Sequence, residues 1–368
     1  MELGRRDLLV SAAALVAGST GIARAASPRK LGYAIVGLGS YGLGRIIPQL
    51  RDCEHSRLVA VVTGDAAKGA RVAAEHGLAP GSVYSYADFD RIRDNPAIDI
   101  VYVCLPNAQH AEFVIRAARA GKHVMCEKPM AVSVAECEAM IAACKKANRK
   151  LMIGYRIHFE AYNREAIRLA RSGAVGKIRY VQSEHGFVQR DPEAWRLKKA
   201  LSGGGSLMDM GIYSLQAARY MTGEEPIAVT ARESTDRKDP RFREVEDMIE
   251  WTLEFPSGAM AMCQSMYSAN QNRVLTMGAT GRIELEPATR YDGQKMWTGK
   301  DGREDMVTPR PTRWKNQFVG QLDHLPDCIA SGREPIVSGE EGLRDMRIVE
   351  AIYRSAREGR TIRLDGRA

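Results

Sequence analysis

Residues 37–42, Gly37-Leu38-Gly39-Ser40-Tyr41-Gly42, constrain the fold of this chain more than any other stretch. They follow a short apolar run, "LGYAIV", and lead into "LGRIIPQLRDC", which reads as a helix carrying a proline. Glycines at this G-x-G-x-x-G spacing, between a strand and a helix, build a turn that receives a pyrophosphate. Gly37 permits the tight turn, Gly39 lets the backbone approach the anion, and Gly42 lets helix and strand pack closely. The helix N-terminus then faces the phosphate charge. The segments that follow keep the rhythm: "RLVAVVTG", "AAKGARVAAEHG", "IDIVYVCLP", "AQHAEFVIRAARAGK", "HVMCEKP", "SVAECEAMIAACKKANR" and "KLMIGY". Buried-type strands alternate with helices of about 10 to 15 residues, which predicts a doubly wound α/β domain with a parallel sheet. It spans residues 31–155. Ser133 and Glu136 form a capping box at the start of one helix.

From residue 156 the pattern changes. A helical segment, "FEAYNREAIRLARSG", precedes period-two runs: "IRYVQSEHGFV", "PIAVTARES", "EDMIEWTLEF", "AMAMCQSMYS", "NRVLTMGAT" and "GRIELEP". Turn residues separate them, so residues 156–368 read as an α+β domain with an antiparallel sheet covered on one face. Two closing stretches, "WKNQFVGQLDHLPDCIASG" and "GEEGLRDMRIVEAIYRSAREG", are helical. A chain of 368 residues suits two such cores. Its net charge of +8 is spread among 45 acids with no basic block interleaved with aromatics, which argues against a nucleic-acid-binding protein. The seven cysteines show no C-x-x-C pair, so neither a metal site nor a disulfide framework is expected.

The first 25 residues read as a targeting segment. Arg5-Arg6, an uncharged run from Leu8 to Ala23, and Ala23-Arg24-Ala25 give the charged, apolar and small-residue regions of a cleavable leader. The paired arginines point to the twin-arginine route, which exports folded proteins to the periplasm. A short arm, residues 26–30, would follow. The mature protein would then carry no membrane anchor.

Three further motifs carry chemistry. At the end of the second strand an NAD enzyme usually places an acid on the ribose 2′-hydroxyl. Here the strand ends on Thr63-Gly64, with Asp65 and then Lys68 beyond. A hydroxyl, free amides and a lysine suit a 2′-phosphate, which points to NADP; Asp65 caps the next helix in the plainer reading. Cys126-Glu127-Lys128-Pro129 puts Lys128 at the carboxyl end of a parallel strand, where ligands bind in such sheets. In "LSGGGSLMDMGIYSL", Gly203-Gly204-Gly205 enters a helix that Ser206 could cap, with Asp209 and Tyr213 four residues apart on one face. That pair is either a structural hydrogen bond or a positioned acid–base group.

Together these motifs resemble the Gfo/Idh/MocA oxidoreductases, and within that family the glucose–fructose and aldose–aldose oxidoreductase branch. "KHVMCEKPM", "KLMIGYR", "WRLKKALSGGGSLMDMGIYSL", "QLDHL" and "GEEGLRDMRIVEAIY" carry the resemblance across nearly the whole mature chain. It implies a Rossmann domain, a second domain whose open, mostly antiparallel sheet forms the oligomer interface, and tightly held NADP(H). Lys128, Asp209 and Tyr213 would be catalytic. Leu38, Ser40, Tyr41, Leu105, Asn107, His110, Glu127, Lys128, Arg156, Trp195 and Arg196 would join the glycines and Thr63, Gly64 and Lys68 around the cofactor. Lys128, Arg156, Asp209, Tyr213 and Tyr291 would meet the sugar. The expected reaction oxidises an aldose at C1 to its lactone, then reduces a second sugar to an alditol in ping-pong fashion. The rivals are a sugar or inositol dehydrogenase with exchangeable cofactor and a non-catalytic NADP-binding sensor. The short arm favours a homodimer over a tetramer, and the loop "HGFVQRDPEAW" departs from the branch.

Overall fold

The computed structural model describes residues 29–300 and 302–365, so the expected leader lies outside the described residues. The first sheet has six strands: β1 (Leu31–Val36), β2 (Ser56–Val62), β3 (Val83–Tyr84), β4 (Ile100–Val103), β5 (His123–Cys126) and β6 (Leu151–Ile153). Their order is β3-β2-β1-β4-β5-β6 and every pair is parallel. Tyr33 to Val36, Ala60 to Val62, Ile100 to Val103 and Val124 to Cys126 are all within 0% of exposure. Such strands are buried on both faces, which is why they read as unbroken apolar runs. Helices α1 (Ala66–Glu75), α2 (His110–Arg119) and α3 (Val134–Lys146) cross over between them. Asp65 caps α1 through a 2.9 Å bond from the Lys68 amide, and the Ser133 hydroxyl caps α3. The Glu136 carboxylate completes that cap by accepting from the Val132 amide at 3.1 Å.

One expectation is corrected here. The segment after the glycine turn is not a continuous α-helix. It is a wide π-type turn, Gly42–Ile46, followed by a 3₁₀ segment, Ile47–Arg51, that holds Pro48. Proline in the first turn of the 3₁₀ segment loses no hydrogen bond it would otherwise make.

The second sheet has nine strands: β7 (Ile178–Gly186), β8 (Ala228–Ser234), β9 (Met248–Glu254), β10 (Met260–Met266), β11 (Gln271–Gly278), β12 (Arg282–Leu285), β13 (Met296–Lys300), β14 (Arg303–Met306) and β15 (Ile362–Arg363). Their order is β14-β13-β12-β11-β7-β10-β9-β8-β15. All pairs are antiparallel except β7 with β10. Helices α4 (Ala161–Arg171), α6 (Ile212–Thr222) and α8 (Gly339–Glu358) cover one face. On the other face Met260, Met262 and Met277 are 46%, 45% and 39% exposed, while Ala261 and Cys263 between them are buried. A short helix, α5 (Lys199–Ser202), leads into the glycine triplet. Helix α7 (Gln317–Ser331) returns to the first domain: the Leu322 carbonyl accepts from the Tyr33 and Ser56 hydroxyls, and Asp323 receives the Glu54 and His55 amides. The seven cysteines form no disulfide; six are buried and Cys104 is half-buried.

Arg219 on α6 ties the covering helices together. Its guanidinium reaches Asp345 at 2.5 Å, Glu341 at 2.7 Å and Glu225 at 2.6 Å, with its side chain 2% exposed. Removing a buried cation strands its carboxylates, which costs far more than the intact cluster gains. Arg219→Met is therefore expected to lower unfolding stability by about 3–5 kcal/mol, measured by denaturant titration.

Candidate active site

The parallel sheet reverses its strand order between β1 and β4, and in such sheets a ligand crevice lies at that switch point, outside the carboxyl ends of the strands. The glycine turn lines it. Gly37 holds φ +97°, and a Cβ on it would lie 2.4 Å from the Cys104 carbonyl. A Cβ on Gly42 would meet the Gly37 carbonyl at 2.4 Å, whereas Gly39 faces open space. A side chain at Gly39 would fill the place where a diphosphate approaches, so this cradle fits a dinucleotide. Ser40 is exposed and Leu38 is buried beneath the turn. At the adenosine end Asp65 is occupied as a helix cap, and the Thr63 hydroxyl accepts from the Asp65 amide at 3.2 Å. The Lys68 ammonium makes no ion pair among the described residues. Those features suit a 2′-phosphate better than a bare ribose hydroxyl.

At the other end of the crevice the sequence motifs converge. Strand β5 delivers Glu127 and Lys128, and the Lys128–Pro129 peptide is cis. Glu127 accepts hydrogen bonds from the Tyr102 hydroxyl and, at 3.4 Å, the Lys128 amide. Gln321 in turn donates to Tyr102 at 2.7 Å. The Lys128 ammonium donates to the Asp209 carbonyl at 2.5 Å and to its Oδ1 at 3.1 Å. It also lies 4.8 Å from the centre of the Tyr213 ring. Asp209 Oδ2 accepts from Arg196 at 2.8 Å and from the Tyr267 hydroxyl at 3.2 Å. Asp209 and Tyr213 are thus brought to one cation rather than to each other. No hydrogen bond joins the pair.

The electrostatics follow from this packing. Burial opposes the charge on Asp209, but Arg196 and Lys128 outweigh it, and the carboxyl is held well below the usual carboxylate range. Burial likewise opposes the Lys128 charge, but Tyr213 and Asp209 outweigh it, and the ammonium pKa is raised. Asp209 therefore stays ionised and does not serve as a proton carrier near neutrality. Its role is to hold the Lys128 and Arg196 cations in place.

The helix that carries Asp209 and Tyr213 begins with a π-type turn, Leu207–Gly211, and continues as α6. Ser206 was expected to cap it and does not; its hydroxyl lies 3.1 Å from that of Ser265. Glu246 does the capping, accepting from the Gly205 amide at 2.8 Å, the Leu207 amide at 3.0 Å and the Tyr353 hydroxyl at 2.8 Å. Glycine is required at 205, where a Cβ would sit 2.1 Å from the Glu246 carbonyl.

The remaining expected contacts divide into two groups. Trp195 and Arg196 share a short 3₁₀ turn at the crevice, with the Arg196 guanidinium 4.6 Å from the indole centre. Leu105 lies beside the glycine turn, its side chain 3.0 Å from where a Cβ on Gly37 would sit, and Tyr41 packs edge-on to Phe318 at 6.5 Å. Arg156 and His110, by contrast, are spent on the protein itself. Arg156 is 4% exposed and donates to Gln317 at 2.6 Å, to the Thr289 carbonyl at 2.5 Å and to the Arg290 carbonyl at 3.3 Å. Its guanidinium lies against the rings of Tyr213 and Tyr291, at 5.2 and 4.7 Å. His110 is 0% exposed, with its ring nitrogens on the Pro129 and Leu105 carbonyls at 3.0 and 2.9 Å. It packs under the turn that follows Lys128, with no ring atom exposed toward the expected cofactor. Asn107 is 4% exposed and donates to the Ser202 carbonyl at 2.8 Å, tying the first domain to the glycine triplet.

Three residues were missed in the sequence: Tyr267, Glu246 and His185. His185 is the penultimate residue of β7, with its ring 5.8 Å from Tyr213 and its Nδ1 2.9 Å from the Ser214 hydroxyl. Ser214 donates to the Gln264 carbonyl at 2.9 Å, so the His185 proton sits on Nδ1 and Nε2 is a bare acceptor. That Nε2 is buried with no partner among the described residues. Burial, then Arg156 and Lys128, lowers the His185 pKa to about 3 and keeps the ring neutral. Each of these residues stands at or near a strand end, the one positional signal that marks them.

Residues 31–155 match the family profile described as "Oxidoreductase family, NAD-binding Rossmann fold", of the Gfo/Idh/MocA type. Residues 167–364 match its "C-terminal alpha/beta domain". The crystal structure of an aldose–aldose oxidoreductase from Caulobacter crescentus, complexed with glycerol, is 60% identical over 91% of this chain and 100% of that one, with a TM-score of 0.90. A D-xylose 1-dehydrogenase (NADP(+)) of Haloferax volcanii is 31% identical over 90% of this chain and 99% of its own. Another, from Haloarcula marismortui, is 28% identical over 90% and 93%.

Asp209→Asn tests the charge balance. Without the carboxylate only Tyr213 offsets burial and Arg196, so the Lys128 pKa falls. The alkaline limb of the kcat–pH profile is expected to move to lower pH, with kcat reduced about 10²-fold or more.

Proposed function

The chain belongs to the Gfo/Idh/MocA oxidoreductase family, and from that premise we propose that it is a periplasmic sugar-to-sugar oxidoreductase with resident NADP(H). The reading is carried by one observation: Tyr213 lies against the Lys128 cation at the nicotinamide end of a dinucleotide crevice. An aldose in ring form binds between the domains. Tyr213 takes the proton from its C1 hydroxyl, and Lys128 stabilises the negative charge that develops on the oxygen. The chemistry NADP supplies is a place for hydride, taken from C1 of one sugar and given to the carbonyl carbon of the next. The first sugar leaves as a lactone. Tyr213 then returns its proton to the second, which leaves as an alditol.

The Arg5-Arg6 leader supports export in the folded state with the cofactor on board. The exposed Met260, Met262 and Met277 support a homodimer formed through the open sheet face. A second reading, a dehydrogenase that releases its cofactor each turn, is favoured by the two xylose dehydrogenase relatives.

Absorbance near 340 nm separates the two. Purified protein with no added cofactor is expected to gain the reduced-nicotinamide band with an aldose and lose it with a second sugar. A band that needs added NADP makes this an exchanging dehydrogenase. Tyr213→Phe is expected to slow sugar-dependent reduction by about 10²–10⁴-fold while cofactor content is retained. If a full-rate band persists in that variant, Tyr213 is not the acid–base group. The dimer is tested by Met260→Glu with Met262→Glu, which is expected to halve the mass measured by light scattering.

A further inference from the structure

Arg45 and Tyr291 play no part in the proton chemistry, yet they meet across the two domains. Arg45 lies in the π-type turn directly after the glycine motif, at the end of the segment that faces the diphosphate. It is exposed and forms no ion pair or hydrogen bond among the described residues. Its guanidinium lies instead against the Tyr291 ring, 4.6 Å from the centre. Tyr291 belongs to the second domain and also meets Arg156 at 4.7 Å and Phe318 at 5.5 Å. The backbone around it is anchored: Gln317 donates to the Tyr291 carbonyl at 2.7 Å, Arg156 holds the Thr289 and Arg290 carbonyls, and Asn272 accepts from the Thr289 amide at 2.6 Å. The ring nevertheless remains 39% exposed, the one large aromatic side chain of this exposure among the described residues. An anchored ring of the second domain, under an uncompensated cation of the first, is a contact between the two domains directly after the glycine turn.

We propose that Arg45 and Tyr291 form a latch that retains the dinucleotide. Arg45 supplies charge to the diphosphate at the glycine turn, and its stacking on Tyr291 ties that turn to the second domain. Release of the cofactor then requires the stack to part. The inference rests on the reading of the crevice as a dinucleotide site, and it deepens that reading by naming what slows release.

The test is the dissociation rate of NADPH from the full-length protein, followed by loss of its bound fluorescence when excess NADP is added. Arg45→Met is expected to speed release about tenfold or more, and Tyr291→Leu several-fold, by loss of charge pairing and of stacking. Tyr291→Phe keeps the ring face and is expected to release at the wild-type rate. The double variant Arg45→Met with Tyr291→Leu is expected to fall short of the product of the two single effects, because both remove one contact. Unchanged release in Arg45→Met, or strictly multiplicative effects, overturns the latch. The failure of residency reads differently: wild type then exchanges within seconds, while the ratios among variants still report the latch. A wild-type protein that binds no NADPH removes both.

Discussion

The Asp209 carboxylate is the interaction on which the site depends. It receives Lys128 from the first domain, Arg196 from the loop over the crevice and Tyr267 from the end of β10. Three segments distant in sequence are fixed by one buried anion. Two cations crowded near a phenol would repel each other in a site this dry; the carboxylate between them makes the arrangement stable. It also decides the division of labour. A carboxylate held ionised cannot shuttle protons, which is why the proposed mechanism gives that task to Tyr213.

Around this anion the protein spends much of its buried polar capacity on positioning. His110 clamps the turn after Lys128, Asn107 tethers the glycine triplet, and Glu246 caps the helix that presents Asp209. Arg156 supports the Tyr213 and Tyr291 rings while its donors go to Gln317 and the 289–290 backbone. Enzymes that stabilise developing charge need groups already fixed before the reaction, and these second contacts provide that rigidity.

Much of this was legible in the sequence, for physical reasons that can be named. The six-stranded sheet declared itself because its strands are buried on both faces and its turns carry glycines. Lys128 declared itself by standing at a strand end before a proline. What stayed hidden was of two kinds. Short strands such as β3, β13, β14 and β15 bury too little to leave a period-two pattern. Long-range partners leave no local trace: Glu246 caps a helix whose start lies about 40 positions earlier, and Tyr267 meets an aspartate from another element. Ser206 looked like a cap because serine favours that place, but a distant carboxylate took both amides. Arg156 and His110 were placed among the ligand contacts by the family resemblance; their burial shows that their polar atoms already have protein partners.

The cysteines have a consequence of their own. Burial pushes the thiols of Cys137 and Cys144 up to about 12, and those of Cys53, Cys104, Cys126, Cys263 and Cys328 are raised as well. Thiolate is the form that attacks disulfides and meets peroxides. With the thiols kept protonated and six of the seven buried, the folded chain offers little thiolate for disulfide exchange, so its cysteines change little between a reducing and an oxidising environment.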